Sequence, residues 1–220
     1  MSIDEALLED VMRSGNAFLR LYRWDPPTLS IGRNQSMESV VDNGVPVVRR
    51  PTGGQAVWHE HEVTYAVAAP IDIFGSLRKA YCEIHTRLAR ALRSLGVNAE
   101  LARPPAVGPS GPFASLRAGS PAACFAVPLG GEILVTDRKL VGSAQVRRRD
   151  AFLQHGSILL DGSQAPAGGS GGETTLRMAL GRLVTFEEVT AAIVANWGQP
   201  FRPSGRQAAR PSIIASLAAG

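Results

Sequence analysis

The sequence predicts an α/β (α+β) domain in which strands and helices share one core. Short β-rich segments follow one another from Leu19 to Val67, and a long stripe of helical period runs between Phe74 and Leu95. A second group of strands lies between Glu132 and Leu160. With 220 residues, 45% hydrophobic and 19% charged, the chain can fill one core, and this composition excludes a disordered polypeptide. Residues 1–200 are read as one domain and 201–220 as a C-terminal tail, poorly ordered until Ile213-Ile214.

In chain order, Asp4–Arg13 predicts a helix with Leu7, Leu8, Val11 and Met12 on one side. The segment Leu19–Trp24 alternates and stops at Asp25-Pro26-Pro27, a strand and turn. Further strands are expected at Leu29–Gly32, Val45–Arg50, Ala56–His59 and Glu62–Val67. Leu77, Tyr81, Ile84, Leu88, Leu92 and Leu95 then recur at three- and four-residue spacing, with Gly96 as the stop. Cys82 falls on the flank of that stripe and reads as a structural, half-buried thiol. A loop rich in proline and glycine covers Arg103–Ala122 and leads to Cys124. Glu132–Val135 and Lys139–Gly142 form a hairpin around Thr136-Asp137-Arg138, and Phe152–Leu160 is another strand. The Gly/Ala/Ser-rich stretch from Asp161 to Glu173 reads as a flexible linker without a site. Thr185-x-x-Glu188 is a capping box that opens a last helix ending near Trp197.

Several function classes drop out. The formal charge of +4 favours acidic partners, but no Lys/Arg run with interleaved aromatics points to nucleic acid. Arg147-Arg148-Arg149 reads as a solvated turn. No apolar window is long enough to span a membrane, and the N-terminus lacks the basic and apolar parts of a signal peptide. Two cysteines are too few for a disulfide framework, so a cytoplasmic protein is expected. Phosphate-binding glycine motifs are absent between strand and helix. His59-Glu60-His61 would place two imidazoles on one strand face, but without a spaced third ligand no metal is expected.

Two stretches carry chemistry. Arg49-Arg50-Pro51-Thr52-Gly53-Gly54-Gln55-Ala56 joins two cations to a Gly-Gly turn where a backbone can approach a ligand. The second runs from Cys124-Phe125 to Lys139-Leu140-Val141-Gly142-Ser143-Ala144-Gln145 and puts a thiol and an amine on neighbouring strands. Taken singly, Arg50 is a strand-end charge, Cys124 a structural thiol and Lys139 a turn lysine. Together they suggest acyl transfer through a thioester, because a nearby cation favours the thiolate.

At these residues the chain resembles the biotin/lipoate protein ligase catalytic family, most closely its cysteine-dependent octanoyltransferase branch. The likeness runs from Asp4 to Leu160 and includes Leu153-Gln154-His155-Gly156-Ser157. It implies a mixed, largely antiparallel sheet flanked by helices. It also implies transfer of an octanoyl group from acyl carrier protein to a lysine of a lipoyl-accepting protein. Glycine cleavage H protein or an acyltransferase-subunit lipoyl domain would be such an acceptor. By the resemblance Cys124 carries the acyl thioester and Lys139 lowers its pKa. Arg50, Gly53, Gly54, Gln55, Ala56, Gly142, Ser143, Ala144, Gln145, His155 and Gly156 would surround the acyl group. No cofactor is implied; ATP enters only in the alternative, an ATP-dependent lipoate–protein ligase. Such ligases usually carry a third glycine where this chain has Gln55. A non-catalytic acyl- or lipoyl-protein binding module is the other alternative. The chain departs from the branch at Leu129-Gly130-Gly131, where an aromatic is usual, and at His59-Glu60, where His-Asp is usual.

Overall fold

The computed structural model describes residues 1–37, 44–102, 131–169, 171–198, 201–203 and 212–217. The long loop before Cys124, and Cys124 itself, lie outside them. Helix α1 (Ser2–Ser14) leads into β1 (Ala17–Tyr22), followed by β2 (Thr28–Ile31), β3 (Val47–Arg49), β4 (Val57–His59) and β5 (Glu62–Pro70). Helix α2 (Leu77–Ser94) precedes β6 (Glu100–Leu101), β7 (Ile133–Val135), β8 (Arg138–Arg148) and β9 (Ala151–Leu159). Helices α3 (Leu176–Leu180) and α4 (Phe186–Asn196), then β10 (Phe201–Pro203) and β11 (Ser212–Leu217), complete the described chain.

Eight strands form one antiparallel sheet in the order β10-β11-β1-β5-β9-β8-β7-β6. A second sheet, β3-β2-β4, pairs β2 with β3 in parallel and with β4 antiparallel. The sheets are therefore mixed and largely antiparallel, with helices against them. Strand alternation explains the layers. Leu19 and Leu21 of β1, with Val63, Tyr65 and Val67 of β5, pack with Ile84, Leu88 and Leu92 of α2 and with Val189 and Ile193 of α4. The intervening Phe18, Tyr22, Ala66 and Ala68 meet Leu8 and Val11 of α1. Both faces of β1 and β5 are buried, so neither strand shows a solvent-facing polar register.

The local signals explain most boundaries. Helix α2 begins at Leu77, after Ser76, whose hydroxyl accepts from Lys79 N. That is later than the expected start at Phe74, because the cap closes the first turn. Thr185 caps α4 through Glu188 N at 3.1 Å, as its capping-box spacing predicts. The β7–β8 turn places Thr136 and Asp137 at φ +49° and +60°, the left-handed pair required by a tight hairpin.

Two expectations need correction, the flexible linker and the half-buried Cys82. The stretch from Asp161 to Glu173 is packed: Gln164 pairs with both main-chain groups of Trp58, and the buried Glu173 accepts from Gln164 N. Residues on either side of Glu173 pair with the Lys139 main chain, through Lys139 N to Gly172 O and Thr174 N to Lys139 O. Composition misled there because the order comes from two side chains, Gln164 and Glu173, and not from periodicity. Within 201–220, β11 runs antiparallel along β1 from Ala17↔Leu217 to Tyr22↔Ser212. The pairing covers an edge of β1 that would otherwise be open. Cys82 is exposed rather than half-buried.

A directed hydrogen-bond chain pins α2 to the sheet. Gly131 O can only accept, so His85 Nδ1 donates to it at 2.7 Å. His85 Nε2 then accepts from Ser143 Oγ at 2.8 Å, and Ser143 accepts from Tyr65 OH at 2.6 Å. Gln154 donates to Tyr65 OH, and Gln145 donates to Gln154 and to Leu77 O of α2. Burial holds the His85 pKa down at about 4, with the nearby Lys139 charge acting the same way.

Two measurements test this architecture. Because folded His85 titrates near 4 and not at 6.5, the unfolded chain takes up a proton in that window that the folded chain refuses. Stability should therefore fall as pH drops from 6.5 towards 4, more steeply in the wild type than in His85→Asn; equal Tm slopes would exclude His85 as the group responsible. The second concerns Gly32, where an added Cβ would lie 2.0 Å from Gly54 O, and Gly53, where it meets nothing within 4 Å. Gly32→Ala should cost about 2–3 kcal/mol in thermal or denaturant unfolding, against less than about 0.5 kcal/mol for Gly53→Ala.

Candidate functional site

A narrow cleft opens between the two sheets and is lined by Met1, Arg50, Val57, His59, Thr64, the run Gly142–Ala144 and the run His155–Ser157. Glycines permit close backbone approach within each wall of the cleft. The carbonyl of Gly54, at φ +92°, sits where any side chain on Gly32 would be. A Cβ on Gly156 would fall 2.4 Å from Gly142 O and 2.5 Å from Ser143 Oγ.

Arg50 is buried at 5% exposure, which requires its N–H groups to find oxygens inside the protein. One terminal nitrogen donates to Ser30 O at 2.9 Å and Ser30 Oγ at 2.7 Å; the other donates to Gln55 O at 2.7 Å and Gly53 O at 3.3 Å. Arg49, adjacent in sequence, is exposed and donates to the carbonyls of Gly32, Arg33 and Gln35. The two arginines thus divide the work: Arg49 stitches the loop after β2, and Arg50 reaches the cleft.

His155 bridges the cleft and the α1 layer. Its Nε2 lies 2.6 Å from Thr52 Oγ1, and its Nδ1 faces Asp4 Oδ2 at 3.8 Å, beyond hydrogen-bond range. A proton on Nδ1, towards the carboxylate, leaves Nε2 to accept from the Thr52 hydroxyl. Burial lowers the His155 pKa, partly opposed by Asp4. Asp4 is fully buried and bonded to Arg20 at 2.6 Å and Tyr22 at 2.9 Å. Burial alone would raise its pKa, but His155 and Arg20 bring it down to about 2.

Of the residues expected around an acyl group, the cleft brings together Arg50, Gly142, Ser143, Ala144, His155 and Gly156. Gly54 adjoins them, with an added Cβ meeting Ala144 at 3.7 Å. Gly53 and Gln55 contribute carbonyls to Arg50, and the Gln55 side chain accepts from Gln35. Ala56 is half-buried and leads into β4. Gln145 points away, into the α2 hydrogen-bond chain.

Lys139 stands apart from the cleft lining. It is 2% exposed, and its Nζ lies 2.6 Å from Glu132 Oε1, itself 1% exposed. A register shift between Ile133 and Leu134 marks a bulge beside it, a feature that re-aims side chains. Buried ions of opposite sign must be paired closely to offset their lost hydration. Sequence reasoning named Lys139 but missed Glu132; a carboxylate opening the same hairpin was the available signal. Cys124 lies outside the described residues.

The histidine pair separates. His59 is buried, with Nε2 2.5 Å from Ser30 Oγ and Nδ1 2.6 Å from Glu62 Oε1. His61 lies in the following turn with its side chain 58% exposed. The strand ends at His59, so the two imidazoles do not share a face. Among the described residues no group of three His, Cys, Asp or Glu could hold a metal ion, and no helix is long and apolar enough to cross a membrane. Ser30, Glu62, Asp4 and His85 were missed as contributors, since none sits in a recognisable spacing.

The chain matches the lipoyl protein ligase A/B catalytic domain over residues 1–198. It is 47% identical over 171 residues to an octanoyltransferase LipM of Kyrpidia tusciae, covering 73% of this chain and 61% of that protein. It is 40% identical over 170 residues to the octanoyltransferase LipM of Carboxydothermus hydrogenoformans, covering 73% and 60%. The match to the octanoyltransferase LipM of Symbiobacterium thermophilum is 36% over 227 residues, covering 90% and 80%. The chain thus spans about 60% of the length of the first two relatives. In fold it is similar to a lipoate-protein ligase A bound with ATP, at TM-score 0.64 and 22% identity over 87% of this chain and 77% of that one. The structure of a bipartite lipoate protein ligase and its E2 lipoyl domain from Thermoplasma acidophilum gives TM-score 0.60 at 20% identity, covering 89% and 78%. With these matches laid on the cleft built from Arg50, Gly142, Ala144 and His155, the chain belongs to the lipoyl protein ligase A/B catalytic-domain family.

Proposed function

We propose that this protein is an octanoyltransferase that moves an octanoyl group from acyl carrier protein, through a thioester on Cys124, to a lysine of a lipoyl-accepting protein. The observation that carries this reading is the 47% identity to an octanoyltransferase, in a chain whose sequence carries Cys124, Lys139 and the Arg-Arg-Pro-Thr-Gly-Gly run. Gln55 supports transfer over ATP-dependent ligation. It fills the place of the third glycine usual in the ligases, and its side chain is tied to Gln35.

In the first step the Cys124 thiolate attacks the octanoyl thioester carbonyl, and the carrier's thiolate leaves and takes up a proton. One thioester replaces another, so little driving force is lost. In the second step a neutral acceptor amine attacks the Cys124 thioester, an amide forms, and the sulfur leaves as thiolate. The amine's surplus proton passes to that sulfur or to solvent. Lys139, fixed by Glu132, supplies a cation that favours the thiolate in the resting enzyme. Arg50 offers positive charge where the acyl carbonyl enters the cleft. Glycine cleavage H protein or an acyltransferase-subunit lipoyl domain fits the acceptor role. Cytoplasmic reducing conditions suit a thiol that must stay free.

Incubation with octanoyl-carrier protein should produce a hydroxylamine-labile octanoyl adduct on Cys124 without ATP, read by intact-mass and peptide mass spectrometry. No adduct, with ATP-dependent loading of free lipoate instead, would establish the ligase; carrier binding with neither reaction would establish a binding module. A second expectation concerns Lys139 in a Cys82→Ser background, chosen because Cys82 is exposed. Lys139→Met leaves Glu132 buried without this cation and should cost about 3–5 kcal/mol. Lys139→Met/Glu132→Gln should recover most of that loss while Cys124 still alkylates more slowly near pH 7. An unchanged alkylation rate would remove Lys139 from thiol activation.

A further inference from the structure

We propose that Glu62 is a positioning residue that sets the cleft's arginine from a distance, through His59 and Ser30. The inference rests on the transferase reading for its kinetic consequence, but its geometry does not. Four buried side chains from β2, the segment after β3, β4 and β5 form one line. Glu62 Oε1 is 2.6 Å from His59 Nδ1, and His59 Nε2 is 2.5 Å from Ser30 Oγ. Ser30 Oγ in turn receives Arg50 at 2.7 Å. Exposures are 2% for Glu62, 3% for His59, 0% for Ser30 and 5% for Arg50, so water does not substitute for any link.

Donor arithmetic gives the line one direction. A guanidinium only donates, so Ser30 Oγ must accept from Arg50. The single hydroxyl proton of Ser30 is then free for His59 Nε2. A carboxylate only accepts, so His59 Nδ1 carries the imidazole proton towards Glu62. Trp24 holds the ring in plane by stacking on it at 4.5 Å and 23°, and its Nε1 donates to Thr64, whose hydroxyl bonds Glu62. Ser30 is fully buried, which excludes it as a nucleophile and leaves a seryl–histidyl–carboxylate line that orients instead of attacking.

A carboxylate is a costly way to fill this position. Glu62 Oε2 has no hydrogen-bond partner among the described residues, and no arginine or lysine is bonded to Glu62 there. Its negative charge is what forbids the other imidazole tautomer. With glutamine in its place, an amide N–H can face Nδ1 and the proton moves to Nε2. Nε2–H then donates to Ser30 Oγ, so the seryl proton loses its acceptor on His59 and must rotate off the line, which disturbs the lone pair that meets Arg50. Arg50 would shift from Ser30 while keeping its bonds to Gln55 and Gly53.

The test combines a spectroscopic and a kinetic readout on the full chain. Nitrogen-15 NMR of the imidazoles, with His59 assigned by His59→Asn, should show a protonated Nδ1 and an unprotonated Nε2 in the wild type. Glu62→Gln should lose that pattern. In octanoyl transfer, Glu62→Gln should raise KM for octanoyl-carrier protein about tenfold with kcat within about threefold, the signature of ground-state positioning. Ser30→Ala, which cuts the line at its centre, should raise KM to a similar extent, and adding Glu62→Gln to it should change nothing further. Any other protonation pattern in the wild type, a Glu62→Gln protein with unchanged KM, or additive effects would overturn the proposal. The NMR arm needs no substrate, so a chain inactive in transfer would sink the transferase reading while leaving the tautomer to be decided separately. If Glu62→Gln fails to fold, Ser30→Ala carries the KM test and His59 of the wild type the spectroscopic one.

Discussion

Burying a guanidinium without matching oxygens costs several kcal/mol, and the arrangement around Arg50 follows from avoiding that cost. Its donors are met by the Ser30 carbonyl and hydroxyl and by the carbonyls of Gly53 and Gln55. Those oxygens belong to β2 and to the turn before β4, so satisfying one side chain fixes how the small sheet folds back on itself. The same folding brings Gly54 O against Gly32, which only a glycine permits. The cleft is thus a by-product of a buried charge whose oxygens come from one strand and one turn.

Other buried charges obey the same constraint. Asp4 is held by Arg20 and Tyr22, which ties α1 to β1, and its field reaches His155 at the cleft wall. Lys139 and Glu132 close the base of the β7–β8 hairpin, and the segment around Glu173 braces the Lys139 main chain. His85, kept neutral by burial, needs no counter-charge and serves as a hydrogen-bond hinge between α2, Gly131 and Ser143. Each polar group sits inside a double-faced apolar sheet, where an unpaired donor or acceptor would be expensive. Polar pairing, more than apolar contact, therefore decides where the functional side chains stand.

The family resemblance pointed to the residues of the cleft before their arrangement was known. It named Arg50 and not Arg49 for the acyl site, and the structure buries Arg50 while leaving Arg49 exposed. It did not separate the roles within Gly142–Gln145. Gly142, Ser143 and Ala144 all line the cleft, Ser143 also bonds Tyr65 and His85, and Gln145 turns to Leu77 O of α2. Glu62 and Ser30 were invisible because their partners lie on other strands.

By itself the sequence determined the α+β class, the long stripe of α2, the capped start of α4 and the hairpin at Thr136-Asp137. These features depend on periodicity, capping and turn chemistry within a few residues of one another. Only the tertiary structure decided that the Gly/Ala/Ser-rich stretch is a brace, that β11 completes the edge of β1, and that Lys139 is matched by Glu132. It also decided that His59 answers to Glu62 and Ser30 rather than to His61. Pairings of this kind are set by burial and long-range register, which bring together residues that no local pattern in the chain connects.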